Sequence, residues 1–366
     1  MFPITKERIY LNCATQGPFA GPVIEAVNKY MDKMAHKAFT TIDPIMTELA
    51  EVIGAFVNCP AERIAYAANT NQALGFVALG LDWKEGDNVV TCDQEYPANV
   101  YPWLRLKRHG VELRVAKSRN WRLDINDFRP LVDKRTRVIT VSWVEFVSGL
   151  RHDLEKIAEL AREHGAFFVV DAMQGMGAMP FDMAASGADA VAFGPQKWLL
   201  SIEGFGVLAL SERLFAALDV AIPGAFSVKD PWNFLKYQLD YLDNGLRFYG
   251  GCPAYTSMHG LKASLEMFNS IGIEKIGAHN RMLTDKLAEG ILRKGYKLVC
   301  SRGDKDWAAI VSFDPGKRDG KQIAEDLETK NIFAAARMGI MRVSPHFYNV
   351  ESDIAAFLDA IPPAKI

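Results

Sequence analysis

The stretch "RVITVSWVEFVSGLRHDLEKIAELAREHGAFFVVDA", residues 137–172, decides the fold. Its first eight residues are β-branched and aromatic, the pattern of a buried strand. Asp153 then stands where a helix N-cap is needed, and Leu154, Ile157, Ala158 and Ala161 fall on one apolar face. Gly165, after His164, is the residue that stops such a helix. Residues 166–172 form a second strand, apolar until Asp171. Strand, helix, strand, with both strands apolar almost throughout, predicts a parallel sheet covered by helices, an α/β layer architecture.

Working outward, "ADAVAFG" (188–194) and "GFGVLALS" (204–211) read as two more short strands. Upstream, residues 62–81 read as a short strand, a polar turn and an apolar helix, and residues 86–103 as a strand running into an aromatic loop. After about residue 245 the style changes to amphipathic helices and isolated strands, as in a separate α+β domain. The division expected is a large domain over 15–250 and a small one from 1–14 with 251–366. A chain of 366 residues suits two domains, and 49% apolar with 23% charged residues is an ordinary globular balance. A net charge of −2 gives no footprint for nucleic acid or a membrane surface. No uncharged apolar run reaches membrane-spanning length. The five scattered cysteines suggest neither a zinc site nor a disulfide framework. The opening "MFPITKERIYLN" lacks the apolar core of a signal peptide, so a reducing cytoplasm is expected.

Asp171 closes one strand, and Lys197, in "FGPQKWLL" (193–200), follows the next. Ligands of open parallel sheets bind beyond the carboxyl ends of the strands, so both charges project near one sheet edge. Taken singly, the lysine could snorkel to water and the aspartate could cap a helix. Taken as a pair, they have a specific use in pyridoxal phosphate enzymes. There the lysine forms a Schiff base with the cofactor aldehyde, and the carboxylate keeps the pyridine nitrogen protonated. "ANTNQALGF" places Thr70 and Asn71 at the start of a helix, where free N–H groups and the helix dipole favour a phosphate; alone, it reads equally as a cap. "GMGAMP" (175–180) lacks the third glycine of a dinucleotide fingerprint, which excludes a nicotinamide dehydrogenase reading.

The stretches "YLNCATQGP", "NTNQAL", "EYPANVYPW", "SWVEFVSGLRHDL", "VVDAMQGMGAMPFD", "GPQKWLL", "GLRFYGGCP" and "RVSPHFYN" run nearly end to end through the chain. In this order they resemble the class V aminotransferase family of fold type I pyridoxal phosphate enzymes. The forms "EYP…PW" and "RVSPHFYN" are most similar to the isopenicillin N epimerase-like and selenocysteine lyase-like members, beside the cysteine desulfurases. The resemblance implies a large domain with a mainly parallel sheet between helices and a smaller C-terminal α+β domain. It makes Lys197 the Schiff-base lysine, Asp171 the pyridinium partner, Gln174 a hydrogen-bond donor to the ring hydroxyl and Tyr96 the ring stacked on the cofactor. Thr70 and Asn71 match the phosphate turn, and Arg342 the group that holds the substrate α-carboxylate. The family's partner-subunit phosphate contact falls at Gly251 and Cys252, which implies a homodimer with shared sites. The sequence departs from the commoner pattern before the lysine: Gly194 and Gln196 replace a serine and a histidine, leaving only Gln196 as a side-chain donor. An asparagine often found near the ring hydroxyl is absent from "WVEFVSG".

The resemblance implies reactions that break a bond at the imine-bearing carbon, with Lys197 as proton shuttle. Cysteine desulfurases carry a nucleophilic cysteine shortly before the R-x-S strand, and "KNIFAAARMGIMRVSPHFYN" has none. The expected activity is therefore aminotransferase or C–S lyase on an amino acid. Epimerase chemistry, or a non-catalytic binding or regulatory protein on the same fold, is the alternative.

Overall fold

The computed structural model describes residues 1–37 and 44–364. The chain opens with a short strand, β1 (Ile9–Tyr10), followed by helices α1 (Gly21–His36) and α2 (Ile45–Val57). Strand β2 (Ile64–Ala67) then leads directly into helix α3 (Thr70–Gly80). Five strands continue the large sheet: β3 (Asn88–Cys92), β4 (Glu112–Ala116), β5 (Thr136–Ser142), β6 (Phe167–Asp171) and β7 (Ala190–Phe193). Strand β8 (Gly206–Leu210) completes it, in the order β2-β8-β7-β6-β5-β3-β4.

The pairing β4-β3-β5-β6-β7 is parallel throughout, while β8 runs antiparallel to both β7 and β2. All strands but β8 therefore point the same way. The sheet is thus mainly parallel, as expected, with one exception: Phe193 is followed by a turn rather than a crossover helix, and the chain returns along β7. Helix Leu154–Glu163 is capped by Asp153, whose side chain accepts the Lys156 N–H. It ends before Gly165 at φ +70°, a left-handed position suited to glycine. Along β6, Phe167 and Val169 join the core on one face of the sheet, and Phe168 and Val170 the core on the other. Burial on both faces, with side chains alternating, explains the unbroken apolar run.

Helices Tyr255–Ile271 and Ile273–Arg293 lead into a second sheet. It contains β9 (Lys297–Leu298), β10 (Val311–Asp314), β12 (Ala335–Arg337) and β13 (Ile340–Val343), in the antiparallel order β12-β13-β10-β9. The intervening β11 (Ile332–Phe333) pairs instead with β1 from the other end of the chain. Helix Tyr255–Ile271 packs on α1 and α2 and so ties this part to the large sheet. Among the described residues, no helix is long and apolar enough to cross a membrane.

Candidate active site

The strand order brings the ends of β2, β3, β5, β6 and β7 to one sheet edge. There they border a cavity of about 490 Å³, within the usual range for small-molecule sites. Asp171, Lys197, Gln174, Gln196, Thr70, Asn71, Tyr96 and Arg342 all line it. Asp171 is the last residue of β6, and its Oδ1 accepts the Met173 N–H at 2.9 Å. Burial pushes its carboxyl up to about 6, against the lowering effects of that bond and of Lys197. Lys197 sits in the turn after β7. Burial, followed by the charge of Arg342, pushes its amine down to about 8, with Asp171 opposing. Its Nζ lies 5.6 Å from the centre of the Tyr96 ring. Tyr96 is half open to solvent and meets Phe146 edge to face at 5.2 Å.

Gln174 is buried and fixed from both ends of its amide. Its Nε2 donates to Ala14 O at 3.0 Å, and its Oε1 accepts Trp198 Nε1–H at 2.9 Å. An amide nitrogen carries two hydrogens, so one remains for the cavity. At the opposite wall, Asn69 caps α3 by accepting the Gln72 N–H, leaving Thr70 and Asn71 in the first turn, where N–H groups have no partner within the helix. Thr70 Oγ1 and Gln196 Oε1 are buried without a hydrogen-bond partner. A Cβ at Gly194 would lie 2.6 Å from Gln196 Oε1 and 2.8 Å from Met173 Cε. The glycine thus makes room for the Gln196 side chain.

Arg342 is 2% exposed on β13. Its Nη1 donates to Phe146 O at 2.7 Å and its Nη2 to Thr15 Oγ1 at 2.6 Å, while its Nε has no partner. Among the described residues, no carboxylate comes within the 4.0 Å of an ion pair, which removes the internal-carboxylate explanation for this buried arginine. Burial, and then the neighbouring Arg337, push its guanidinium down to about 9.

Sequence reasoning passed over the segment that joins these walls. Thr15 accepts from Arg342, Ala14 O from Gln174, and Gly17 N–H donates to Gln196 O at 2.8 Å. A Cβ on Gly17 would fall 2.0 Å from Lys197 O. The only sequence signal was "YLNCATQGP" itself, which names no chemistry. Behind the wall, Cys92 Sγ and His152 Nε2 contact Glu145 Oε1 at 3.1 and 3.0 Å. Burial raises the Glu145 carboxyl and lowers the His152 imidazole, so both are pushed toward their neutral forms and serve as a hydrogen-bonded support. Gly251 and Cys252 are exposed and are not among the residues lining the cavity.

Residues 9–357 match the family described as Aminotransferase class-V. A probable cysteine desulfurase of Methanothermobacter thermautotrophicus is 28% identical over 377 residues, covering 96% of this chain and 93% of that protein. The uncharacterized aminotransferase YcbU of Bacillus subtilis is 26% identical over 372 residues, covering 100% and 97%. The cysteine desulfurase structure from Thermococcus onnurineus NA1 superposes with a TM-score of 0.90 at 26% identity, covering 98% of this chain and 94% of that one.

Proposed function

Because the chain belongs to the class V aminotransferase family, we propose that Lys197, Asp171 and Arg342 are the groups with which it works on an amino acid. It is a pyridoxal phosphate-dependent enzyme, an aminotransferase or C–S lyase. The observation that carries the assignment of residues is their convergence. One cavity holds a lysine, a strand-ending aspartate, a helix N-terminus and a buried arginine that, among the described residues, has no acidic partner. The cavity fits the cofactor: Thr70 Oγ1 is a buried hydroxyl without a partner and so free to donate, and the first turn of α3 suits a phosphate.

When bound, the cofactor supplies a ring that takes up the electron pair released at the substrate α-carbon. Lys197 would hold it covalently, and its amine, set free when the substrate's amino group takes its place, would take and return the α-proton, a role that the lowering of the free amine by burial favours. Asp171, once ionised, would keep a proton on the pyridine nitrogen. Gln174 would donate to the ring hydroxyl, and Tyr96 would cover the ring. Thr70, Asn71 and Gln196, the last through its amide N–H, would hold the phosphate. Arg342, clamped by Phe146 O and Thr15, would receive the α-carboxylate and so orient the substrate's α-carbon in the site.

The reaction class we favour passes no sulfur through an enzyme thiol. None of the cavity-lining residues is a cysteine. Cys13, Cys59, Cys92 and Cys300 are buried, and burial pushes their thiols up, which disfavours the thiolate. Their burial as free thiols also suits a reducing cytoplasm. We further propose a homodimer. Trp232, Leu235 and Tyr237 are 54%, 81% and 88% exposed in the segment just before "GLRFYGGCP", an apolar cluster that a second copy would cover. Gly251 and Cys252 would then reach the partner's phosphate.

The holoenzyme should be mixed with each amino acid, with and without a keto-acid acceptor, and its visible spectrum and products followed. Transamination gives product only with the acceptor, elimination without it, and epimerisation inverts the amino acid. No response to any amino acid refutes the assignment. Replacing the five cysteines should leave turnover in place, and sedimentation should give a dimer. Selective loss of sulfur release on one replacement returns the persulfide route.

A further inference from the structure

Arg337 and Arg342 share one face of the β12–β13 hairpin. Ala335 lies opposite Arg342 and Arg337 opposite Ile340, so the two arginines are diagonal neighbours. Both line the cavity, and both send an Nη2 to the same hydroxyl: Thr15 Oγ1, at 3.2 Å from Arg337 and 2.6 Å from Arg342. That hydroxyl donates its own hydrogen to Asn12 Oδ1 at 2.7 Å, so its hydrogen-bonding capacity is full.

Among the described residues, the acceptors of the two guanidinium groups are all neutral: Thr15 Oγ1, Phe146 O and Ala336 O. Asp319, Glu325 and Glu328 share a surface groove with Arg337. Among the described residues, none of them comes within the 4.0 Å of an ion pair. Lys197 adds a third cation to the cavity, against Asp171 as the single carboxylate among the lining residues. Two like charges placed side by side without an acid repel each other and keep free donors. One guanidinium satisfies one carboxylate through paired hydrogen bonds, so the α-carboxylate on Arg342 leaves Arg337 unassigned.

We propose that Arg337 binds a second acidic group, so that the substrate is an amino acid whose side chain ends in a carboxylate or sulfinate. This rests on the reading of Arg342 as the α-carboxylate grip. Arg337 is only half-buried, where Arg342 is buried, and it also borders a surface groove, which suits a group further from the α-carbon.

The test uses holoenzyme and matched pairs: L-aspartate against L-asparagine, L-glutamate against L-glutamine, and L-cysteine sulfinate against L-cysteine. Apparent affinities are read from the visible spectrum, and kcat/KM from product. The acidic member of at least one pair should be preferred. Arg337→Gln should reduce that preference by about ten- to a hundredfold, the worth of a charge-assisted hydrogen bond, and Arg337→Lys should restore part of it. Thermal unfolding of each variant separates loss of fold from loss of preference. A wild-type preference for the neutral members overturns the inference and leaves the amino-acid reading standing. Equal losses on both members of every pair also overturn it, making Arg337 a second hand on the α-carboxylate. No response to any of the six, with a response to some other amino acid, overturns the inference alone, whereas silence to every amino acid overturns the underlying reading as well.

Discussion

Arg342→Met separates a binding arginine from a structural one, because the two roles predict opposite effects on stability. The wild-type guanidinium is pushed from 12.5 to about 9, mainly by burial and then by Arg337. At ~1.4 kcal/mol per pH unit, that shift corresponds to ~5 kcal/mol of unfavourable environment for the charged form in the protein without substrate. Against this stand two hydrogen bonds, to Phe146 O and Thr15 Oγ1. Losing them and leaving the Phe146 carbonyl unpaired costs about 2–4 kcal/mol in all. The methionine fills much of the arginine's apolar volume, so the variant should unfold at the wild-type temperature or somewhat above it. Activity should move the other way. Loss of a bidentate carboxylate grip costs about 2–5 kcal/mol in kcat/KM, or roughly thirty- to several-thousandfold. Calorimetry of the cofactor-free proteins and steady-state kinetics of the holoenzymes measure the two effects. An amine lacking the carboxylate is the control and should lose far less than an amino acid. A variant that unfolds much earlier than wild type, and loses activity equally on both substrates, would refute the reasoning.

Borohydride should fix the cofactor to Lys197, and Lys197→Ala should lose both the visible band and turnover; a labelled peptide centred elsewhere would reassign the lysine. Asp171→Asn should keep the cofactor yet slow Cα–H exchange by several kcal/mol of barrier, read by deuterium exchange into the substrate. The same variant has a pH signature in the cofactor-free protein. Asp171 is raised from 3.8 to about 6, so the folded state holds its proton more tightly and stability falls as pH rises through that window. The wild-type-minus-variant difference in unfolding free energy should therefore decline by ~3 kcal/mol between about pH 4 and 6, and a flat difference would count against the burial of that carboxyl. Gly17→Ala should weaken cofactor binding without touching any proposed site side chain. Its Cβ would collide with Lys197 O, a backbone atom that cannot swing aside, and unchanged binding would show that the turn has slack.

The placement of residues at strand ends was legible in the sequence: Asp171 at the end of β6, Lys197 beyond β7 and Thr70 at the start of α3 each had a bland reading alone, and the strand pattern put them at one sheet edge. The direction of β8 was not legible, since a strand buried on both faces is apolar whichever way it runs. Arg342 could be picked out, but its holders could not. Phe146 contributes a backbone carbonyl, which any residue could supply, and Thr15 lies more than three hundred positions away. Gly194 read as a lost donor, whereas the space it leaves is taken by the Gln196 amide. For the domain division we keep the proposal of 15–250 and 1–14 with 251–366. Helix Tyr255–Ile271, packed on α1 and α2, then acts as the bridge.

The segment from β1 to Gly17 has a consequence for the order in which the molecule can be assembled. It pairs with β11 and meets Ser344, through Ile9↔Ile332, Tyr10↔Phe333 and Asn12↔Ser344, and it also touches the turn that carries Lys197. The earliest-made of these residues therefore wait on the ribosome for nearly the latest. A nascent chain that has exposed β2 to β8 can form the large sheet and present Lys197 and Asp171, but Arg337, Arg342 and their shared Thr15 come together only when the loop of more than three hundred residues closes. Contacts of such sequence separation form late, since the entropy of loop closure is lost before they repay it. Capacity to hold a substrate carboxylate should thus appear during refolding after capacity to hold an anion at α3, and the interval between them times the docking of the chain's two ends.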